Sequence, residues 1–204
     1  MYVKICGLQT TDTVAAAVEA GADAVGFVFA PGSPRTIGAE LALRLGREVP
    51  LDIETVGVFR NQPLDEVLDI ASAAKLTTVQ LHGNETLADT ARLRQAGFRT
   101  LRAFSAAGYS ALAPAGKLAW ASERILLDAV EPGAGVAFDA SVLGGDAPKG
   151  FWLLAGGLNP GNVAQLVAAL GPSGVDVSSG VESSRGIKDT GLIREFIEAA
   201  RSTG

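Results

Sequence analysis

Eight short segments rich in Val, Ile and Phe alternate with longer Ala/Leu segments at helical spacing, and no linker-like composition shift interrupts the 204 residues. Together these predict an α/β fold: a single (β/α)8 TIM barrel, a closed parallel sheet of eight strands, forming one domain over residues 1–204. Parallel pairing follows from the interposed segments, because a parallel connection must carry the chain back across the sheet. An open doubly wound sheet competes with the barrel. Such a sheet usually carries a glycine fingerprint after its first strand, and here that position reads Cys6-Gly7-Leu8-Gln9-Thr10, without G-x-G-x-x-G. Eight strand–helix units fit in roughly 200 residues, so closure is the better reading.

The first strand is expected at Val3–Cys6, with a helix over Asp12–Ala20. The second, Ala24–Phe29, leads through a proline-containing loop to a helix over Ala39–Glu48. Strands at Thr55–Phe59 and Thr77–His82 are followed by helices at Leu64–Ala74 and Glu85–Ala96. After the fifth strand, Thr100–Phe104, the stretch Tyr109–Ala115 allows only a short, poor helix. The sixth strand, Arg124–Asp128, opens onto Ala129–Gly150, which reads mainly as loop because it holds Pro132, Gly133, Gly135, Gly144, Gly145 and Pro148. Phe151–Ala155 and Val175–Val177 complete the sheet, with helices at Gly161–Leu170 and Gly191–Arg201.

Alternate residues of a strand face opposite ways. Lys4 and Cys6 therefore separate from Val3 and Ile5, and Gln80 and His82 from Val79 and Leu81. By the same rule Arg102 separates from Leu101 and Ala103, and Asp128 from Ile125 and Leu127. The outer face must be apolar to meet helices, so the polar set is expected to point into the barrel. Its last members would stand at the C-terminal rim, where chemistry takes place in this fold.

Composition excludes several classes. The net charge is −5 and the Lys and Arg residues are scattered, whereas nucleic-acid binding needs a concentrated basic face. No apolar run is long enough to span a bilayer, and Met1–Gly7 lacks a basic-then-apolar signal segment. The expectation is a cytoplasmic protein without membrane or nucleic-acid partners. One cysteine cannot form an internal disulfide, and one His with one Cys is a poor metal set, so no metal is expected.

Cys6 ends the first strand in Lys4-Ile5-Cys6-Gly7. A thiolate can accept a proton, but with an ordinary pKa of ~8.5 it needs help from charge or a helix terminus. The plain alternative is a small buried core residue. Asp128 closes Ile125-Leu126-Leu127-Asp128, and a carboxylate ending an apolar strand is costly unless paired or used. It either caps the loop, binds an arginine, or serves a function at the strand end, which the barrel rim favours. Ala155-Gly156-Gly157-Leu158-Asn159-Pro160 follows the seventh strand, and Ser178-Ser179-Gly180-Val181-Glu182 the eighth. Phosphate sites in such barrels commonly use these two loops, and glycines there permit close backbone approach. No Lys or Arg occurs between Phe151 and Ser184, so backbone N–H groups would carry the binding. Arg35, after Pro31 and Pro34, stands in a stiffened loop where a guanidinium can fork onto a carboxylate; the alternative is a solvated surface arginine. His82 is read as a rim hydrogen-bonding residue. Lys4 lies one layer beneath Cys6, and closure brings the eighth strand beside the first. A Lys4–Asp176 pair would spare both charges an unpaired burial; either its ammonium favours the Cys6 thiolate, or the pair is purely structural.

Lys4–Gly7, Gly26–Arg35, Val56–Asn61, Val79–Gly83, Leu126–Asp128, Ala155–Val163 and Gly174–Ser183, with Gly186, Lys188 and Asp189, resemble in order and spacing the phosphoribosylanthranilate isomerase family. The resemblance spans nearly the whole chain. It implies a (β/α)8 barrel that performs an Amadori rearrangement in tryptophan biosynthesis on a small phosphorylated substrate, without metal or organic cofactor. It assigns Cys6 as base, Asp128 as acid and Arg35 as the contact for the anthranilate carboxylate. Gly156, Gly157, Ser179 and Gly180 would surround the phosphate, with His82 and Asp176 as further substrate contacts; protein partners stay open. One departure stands out. After the acid the family usually reads Pro-Gly-Gly, a further glycine, then Phe-Asp-Trp, whereas here Pro132-Gly133-Ala134-Gly135 leads to Phe138-Asp139-Ala140. Three rivals are weighed. The related sugar isomerase of histidine biosynthesis, alone or as a dual activity, resembles this chain but ends its first strand in aspartate, not cysteine. A Schiff-base aldolase needs a strand-end lysine, and Lys4 sits too deep. A silent phosphate-ligand barrel has no use for Cys6, Asp128 and Arg35.

Overall fold

A computed structural model describes residues 1–128 and 147–202. Eight parallel strands close in sequence order: β1 (Tyr2–Cys6), β2 (Ala24–Val28), β3 (Glu54–Phe59), β4 (Thr78–Leu81), β5 (Arg99–Ser105), β6 (Ile125–Asp128), β7 (Trp152–Ala155) and β8 (Gly174–Val177). Pairing of β1 with β8, Lys4 opposite Asp176, closes the ring. The predicted barrel is therefore the observed one, with no strand end moved by more than one residue.

Around the ring lie α1 (Thr11–Glu19), α2 (Ala39–Gly46), α3 (Leu64–Ala73), α4 (Leu87–Gln95), α5 (Ala106–Ser110), α6 (Pro114–Trp120), α7 (Val163–Leu170) and α8 (Thr190–Arg201). Local chemistry sets their starts. Thr10 caps α1, Thr86 and Asp89 form a reciprocal capping box on α4, and the Asp189 carboxylate accepts from the Gly191 and Leu192 amides at α8. The expected poor helix near Tyr109–Ala115 is instead two short ones. Ser105 caps the first, and Pro114 opens the second at a position where its missing N–H is harmless. The second is anchored by Trp120, whose ring packs edge-on against Phe104 at 5.4 Å. A hairpin, β9 (Glu182–Ser184) with β10 (Ile187–Lys188), was not expected, because its short polar strands carry no apolar alternation. Most of the Ala129–Gly150 loop, including the altered Pro132–Ala140 segment, lies outside the described residues.

The barrel interior is divided. One sector is polar, with Lys4, Gln80 and Asp176 buried within it. The opposite sector is apolar and formed by Leu101, Ala103, Leu126, Leu153 and Ala155. This corrects the reading of Arg102. Leu101 pairs with inward-facing Gln80, so Leu101 and Ala103 take the interior and Arg102 faces outward. A guanidinium could not be desolvated among those aliphatic groups; outside, it donates to the carbonyls of Leu81 (2.9 Å) and Gly83 (2.7 Å) and lies 4.4 Å above the Phe104 ring. At the N-terminal end the Glu54 carboxylate accepts from Arg124 (2.9 Å) and Thr78 (2.6 Å), while Arg124 stacks 4.7 Å from Phe151. That partly buried network lies at the N-terminal end, and a wide cavity opens at the C-terminal rim. Among the described residues no helix is long and apolar enough to cross a membrane.

Candidate active site

The strand ends and following loops bring Cys6, Arg35, His82, Asp128, Gly156, Gly157, Asp176 and Ser179 to this one rim cavity. Cys6 closes β1 with only 5% of its surface exposed. Its neighbour across the β1–β2 pair is Gly26, where a Cβ would stand 3.0 Å from the sulfur; the missing side chain makes room for the thiol. Beneath it, the Lys4 ammonium donates to Asp176 Oδ1 at 2.7 Å, the pair expected from strand parity. Burial alone would lower the Lys4 pKa, but the Asp176 charge and the neighbouring thiol reverse this, leaving Lys4 above its ordinary value and firmly protonated. It is therefore unsuited to Schiff-base chemistry.

The same environment acts on Cys6. Burial pushes its thiol up, Lys4 pulls it down, Asp176 pushes it up again and Lys188 pulls it down, and the net direction is upward. The expectation that Lys4 makes the thiol more acidic thus has the right sign for that one contribution but not for the sum, because desolvation of a thiolate is the larger effect. A raised pKa also means that the thiolate, once formed, is the stronger base.

Asp128 ends β6, separated from β1 around the ring by β7 and β8. Its Oδ2 stands 3.6 Å from His82 Nε2, and His82 Nδ1 is 3.3 Å from the Gln80 amide nitrogen. If Gln80 donates there, the imidazole proton sits on Nε2, facing the carboxylate. Cys6 and Asp128 thus border the cavity from different sides.

The two glycine loops meet backbone to backbone. Gly156 and Gly157 take φ of +85° and +66°, a left-handed pair that glycine adopts without strain. Neither amide is committed to a backbone hydrogen bond among the described residues. From the other side a single 3-10 turn, Ser179–Val181, follows β8. Gly180 does not line the cavity; a Cβ there would stand 1.7 Å from the Leu158 carbonyl oxygen, so its role is to let the two loops touch.

Arg35 is neither solvated nor free-swinging. Its Nε and Nη2 donate to the two oxygens of Glu182 at 2.6 and 2.9 Å. Glu182 also accepts from Lys188 Nζ (2.6 Å) and the Gly186 amide (2.9 Å), and Lys188 donates onward to the Ser178 carbonyl (2.9 Å). Glu182 and Lys188 stood in the sequence only as members of the loop after β8 and of the resembling residues, with no role at the site; their one further signal is a pair of opposite charges flanking the Gly186 turn. Burial opposes ionisation of Glu182, but Arg35, Lys188 and the Gly186 amide outweigh it and hold the carboxyl down at about 2. A depressed folded-state pKa contributes stability that is fully present above the ordinary carboxyl value of ~4.3 and is lost as pH falls through about 2. Acid titration followed by circular dichroism should therefore show Glu182→Gln losing less stability over that window than the wild type; an identical acid loss would refute it. Among the described residues no cluster of three or more His, Cys, Asp or Glu is arranged to hold a metal ion.

A closed parallel barrel with its reactive side chains gathered at the C-terminal rim places the chain among the (β/α)8-barrel enzymes. Comparison with known proteins narrows this. The family model described as N-(5'phosphoribosyl)anthranilate (PRA) isomerase matches residues 3–199. The N-(5'-phosphoribosyl)anthranilate isomerase of Rhodopseudomonas palustris strain HaA2 is 42% identical, with 100% of this chain and 97% of the relative covered. The crystal structure of phosphoribosyl anthranilate isomerase from Thermotoga maritima superposes with a TM-score of 0.90 at 37% identity, covering 99% of each chain. A crystal structure of such an isomerase in complex with reduced 1-(o-carboxyphenylamino)-1-deoxyribulose 5-phosphate gives a TM-score of 0.86 at 36% identity, again covering 99% of each. The chain belongs to the N-(5'-phosphoribosyl)anthranilate isomerase family.

Proposed function

We propose that residues 1–204 act as one catalytic domain that converts N-(5'-phosphoribosyl)anthranilate to 1-(2-carboxyphenylamino)-1-deoxyribulose 5-phosphate in tryptophan biosynthesis. The observation that carries this reading is the layout of the rim. A buried thiol and a carboxylate border one cavity, with an arginine fork at one part of its wall and glycine-lined loops at another. A substrate with a carboxylate at one end and a phosphate at the other fits that layout, and binding energy from both ends can fix the reacting carbons between the acid and the base.

In this reading Arg35 contacts the anthranilate carboxylate, and Gly156, Gly157 and Ser179 hold the phosphate through backbone N–H groups, with Gly180 letting their two loops touch. Asp128, protonated, gives its proton to the ring oxygen; the C1–O bond breaks and the nitrogen lone pair forms a C1=N iminium. The cation acidifies the C2 proton, and the Cys6 thiolate removes it. The C–H electron pair becomes a C1=C2 bond and the nitrogen recovers its lone pair. Tautomerisation of this enolamine adds a proton at C1 and leaves a ketone at C2, with no net gain or loss of electrons. Lys4 and Lys188 offset the burial of the thiolate, and His82 and Asp176 help shape the polar wall around the sugar.

Cysteine rather than aspartate at the end of β1 favours this substrate over that of the related isomerase of histidine biosynthesis. The test is turnover of phosphoribosylanthranilate by the purified chain, followed through loss of substrate fluorescence, with the histidine-pathway substrate assayed in parallel. Isomerisation of the first alone is expected. No turnover of phosphoribosylanthranilate would refute the proposal, and turnover of both would replace it with the dual activity.

A further inference from the structure

We propose that Glu182 is a positioning residue that fixes the substrate-recognising edge of Arg35, and that Lys188 and the Gly186 amide hold Glu182 rigid for this purpose. The inference rests on the isomerase reading above and gives a role to Glu182, which that reading leaves idle, and a second one to Lys188.

A guanidinium is planar, with five N–H bonds in a fixed fork, so holding one edge sets the direction of the others. Glu182 takes the side edge, Nε and Nη2. The end-on edge, made of Nη1 and the outer hydrogen of Nη2, remains; no hydrogen bond from Nη1 occurs among the described residues, and the Arg35 side chain is 19% exposed where it borders the cavity. That edge can fork onto a second carboxylate. The stem is pinned as well: it crosses Gly7, where a Cβ would lie 2.7 Å from Arg35 Cδ.

Glu182 is itself immobile. Its side chain is only 4% exposed and it keeps two donors besides Arg35, so the carboxylate cannot follow the arginine if the latter swings. The Lys188 ammonium is locked in turn by the Ser178 carbonyl and hydroxyl at 2.9 and 3.2 Å. Hairpin β9–β10 therefore clamps a residue of the loop after β2 from the far side of β1. A long cationic side chain ordinarily loses rotamer freedom when it grips a ligand. Here that ordering precedes binding, and the preorganised edge selects substrates whose amine substituent carries an anion. The opposite reading makes Glu182 a competitor that the substrate must displace, and it predicts the opposite change in affinity.

Binding of the reduced product analogue 1-(o-carboxyphenylamino)-1-deoxyribulose 5-phosphate, together with KM and kcat for phosphoribosylanthranilate, separates these readings. The proteins are wild type, Glu182→Gln, Glu182→Asp, Arg35→Ala and the two Glu182 variants in the Arg35→Ala background. Glu182→Asp keeps the charge but withdraws it by one methylene, which guards against a misfolded Glu182→Gln. Each Glu182 change should weaken analogue binding roughly three- to tenfold, as expected for one long side chain that must now be ordered on binding. KM should rise in parallel while kcat changes less. In the Arg35→Ala background the same changes should have no further effect. Unchanged or tighter binding in the Glu182 variants would overturn the proposal, as would an equal loss with and without Arg35, which would mark Glu182 as merely structural. Failure of the wild type to turn over phosphoribosylanthranilate would instead refute the isomerase reading.

Discussion

Replacing Cys6 by serine, or Asp128 by asparagine, is expected to lower kcat by ~10²–10⁴-fold each, the usual contribution of a positioned proton-transfer group. Both substitutions nearly preserve shape, so the fold and the substrate contacts should survive. Serine keeps the small volume beside Gly26 but is far too weak an acid to supply an oxyanion base, and asparagine cannot donate a carboxylic proton. KM should move little, because neither group is proposed to hold the phosphate or the anthranilate carboxylate. The double variant should be scarcely slower than the worse single one if the two act on consecutive parts of one sequence, since groups that work as a unit are strongly non-additive. Initial rates on folded, purified variants decide it. Turnover within tenfold of wild type in either single variant would remove that residue from the mechanism.

How much of this was legible in the sequence depends on how far each signal must reach. The strands were legible because each is a short apolar run bounded by turn residues, and closure follows from their number and spacing. The Lys4–Asp176 pair was legible although its members are 172 residues apart, because barrel closure places the last strand beside the first. Parity failed at β5. Arg99-Thr100-Leu101-Arg102-Ala103-Phe104-Ser105 carries apolar residues at both parities, so alternation alone could not choose a face. The decision was made by neighbours on β6 and β7, whose Leu126, Leu153 and Ala155 complete an apolar interior with Leu101 and Ala103. Arg35 was found, but not its partner: Glu182 lies 147 residues away on a hairpin with no apolar pattern. Long-range polar pairing outside the regular strands leaves no periodic trace. Gly180, expected beside the phosphate, lies against the Leu158 backbone and is not among the residues lining the cavity.

That detail makes Gly180→Val the other substitution with a large expected effect. A Cβ at this position would stand 1.7 Å from the Leu158 carbonyl oxygen and 2.8 Å from its carbon. Both are backbone atoms, so no side chain can rotate away, and the loops after β7 and β8 must separate. Overpacking of this kind typically costs 1–3 kcal/mol. If the strain is relieved by moving the loops, the phosphate site proposed at Gly156, Gly157 and Ser179 loses its shape. KM for phosphoribosylanthranilate should then rise by roughly five- to 150-fold, the same energy expressed as affinity. Inorganic phosphate should also lose its competitive inhibition, whereas kcat at saturating substrate should fall less. Gly171→Ala is the control. Gly171 ends α7 with φ +59° and has no atom within 4 Å of a Cβ, so alanine there strains the backbone without touching the loops. It should lower the melting temperature and leave KM and phosphate inhibition unchanged. A folded Gly180→Val protein with wild-type KM and wild-type inhibition by phosphate would show that the anion is held elsewhere. A rise in KM matched by Gly171→Ala would trace it to general destabilisation. Only a KM effect confined to the Gly180 variant identifies the contact between the two loops as what shapes the phosphate site.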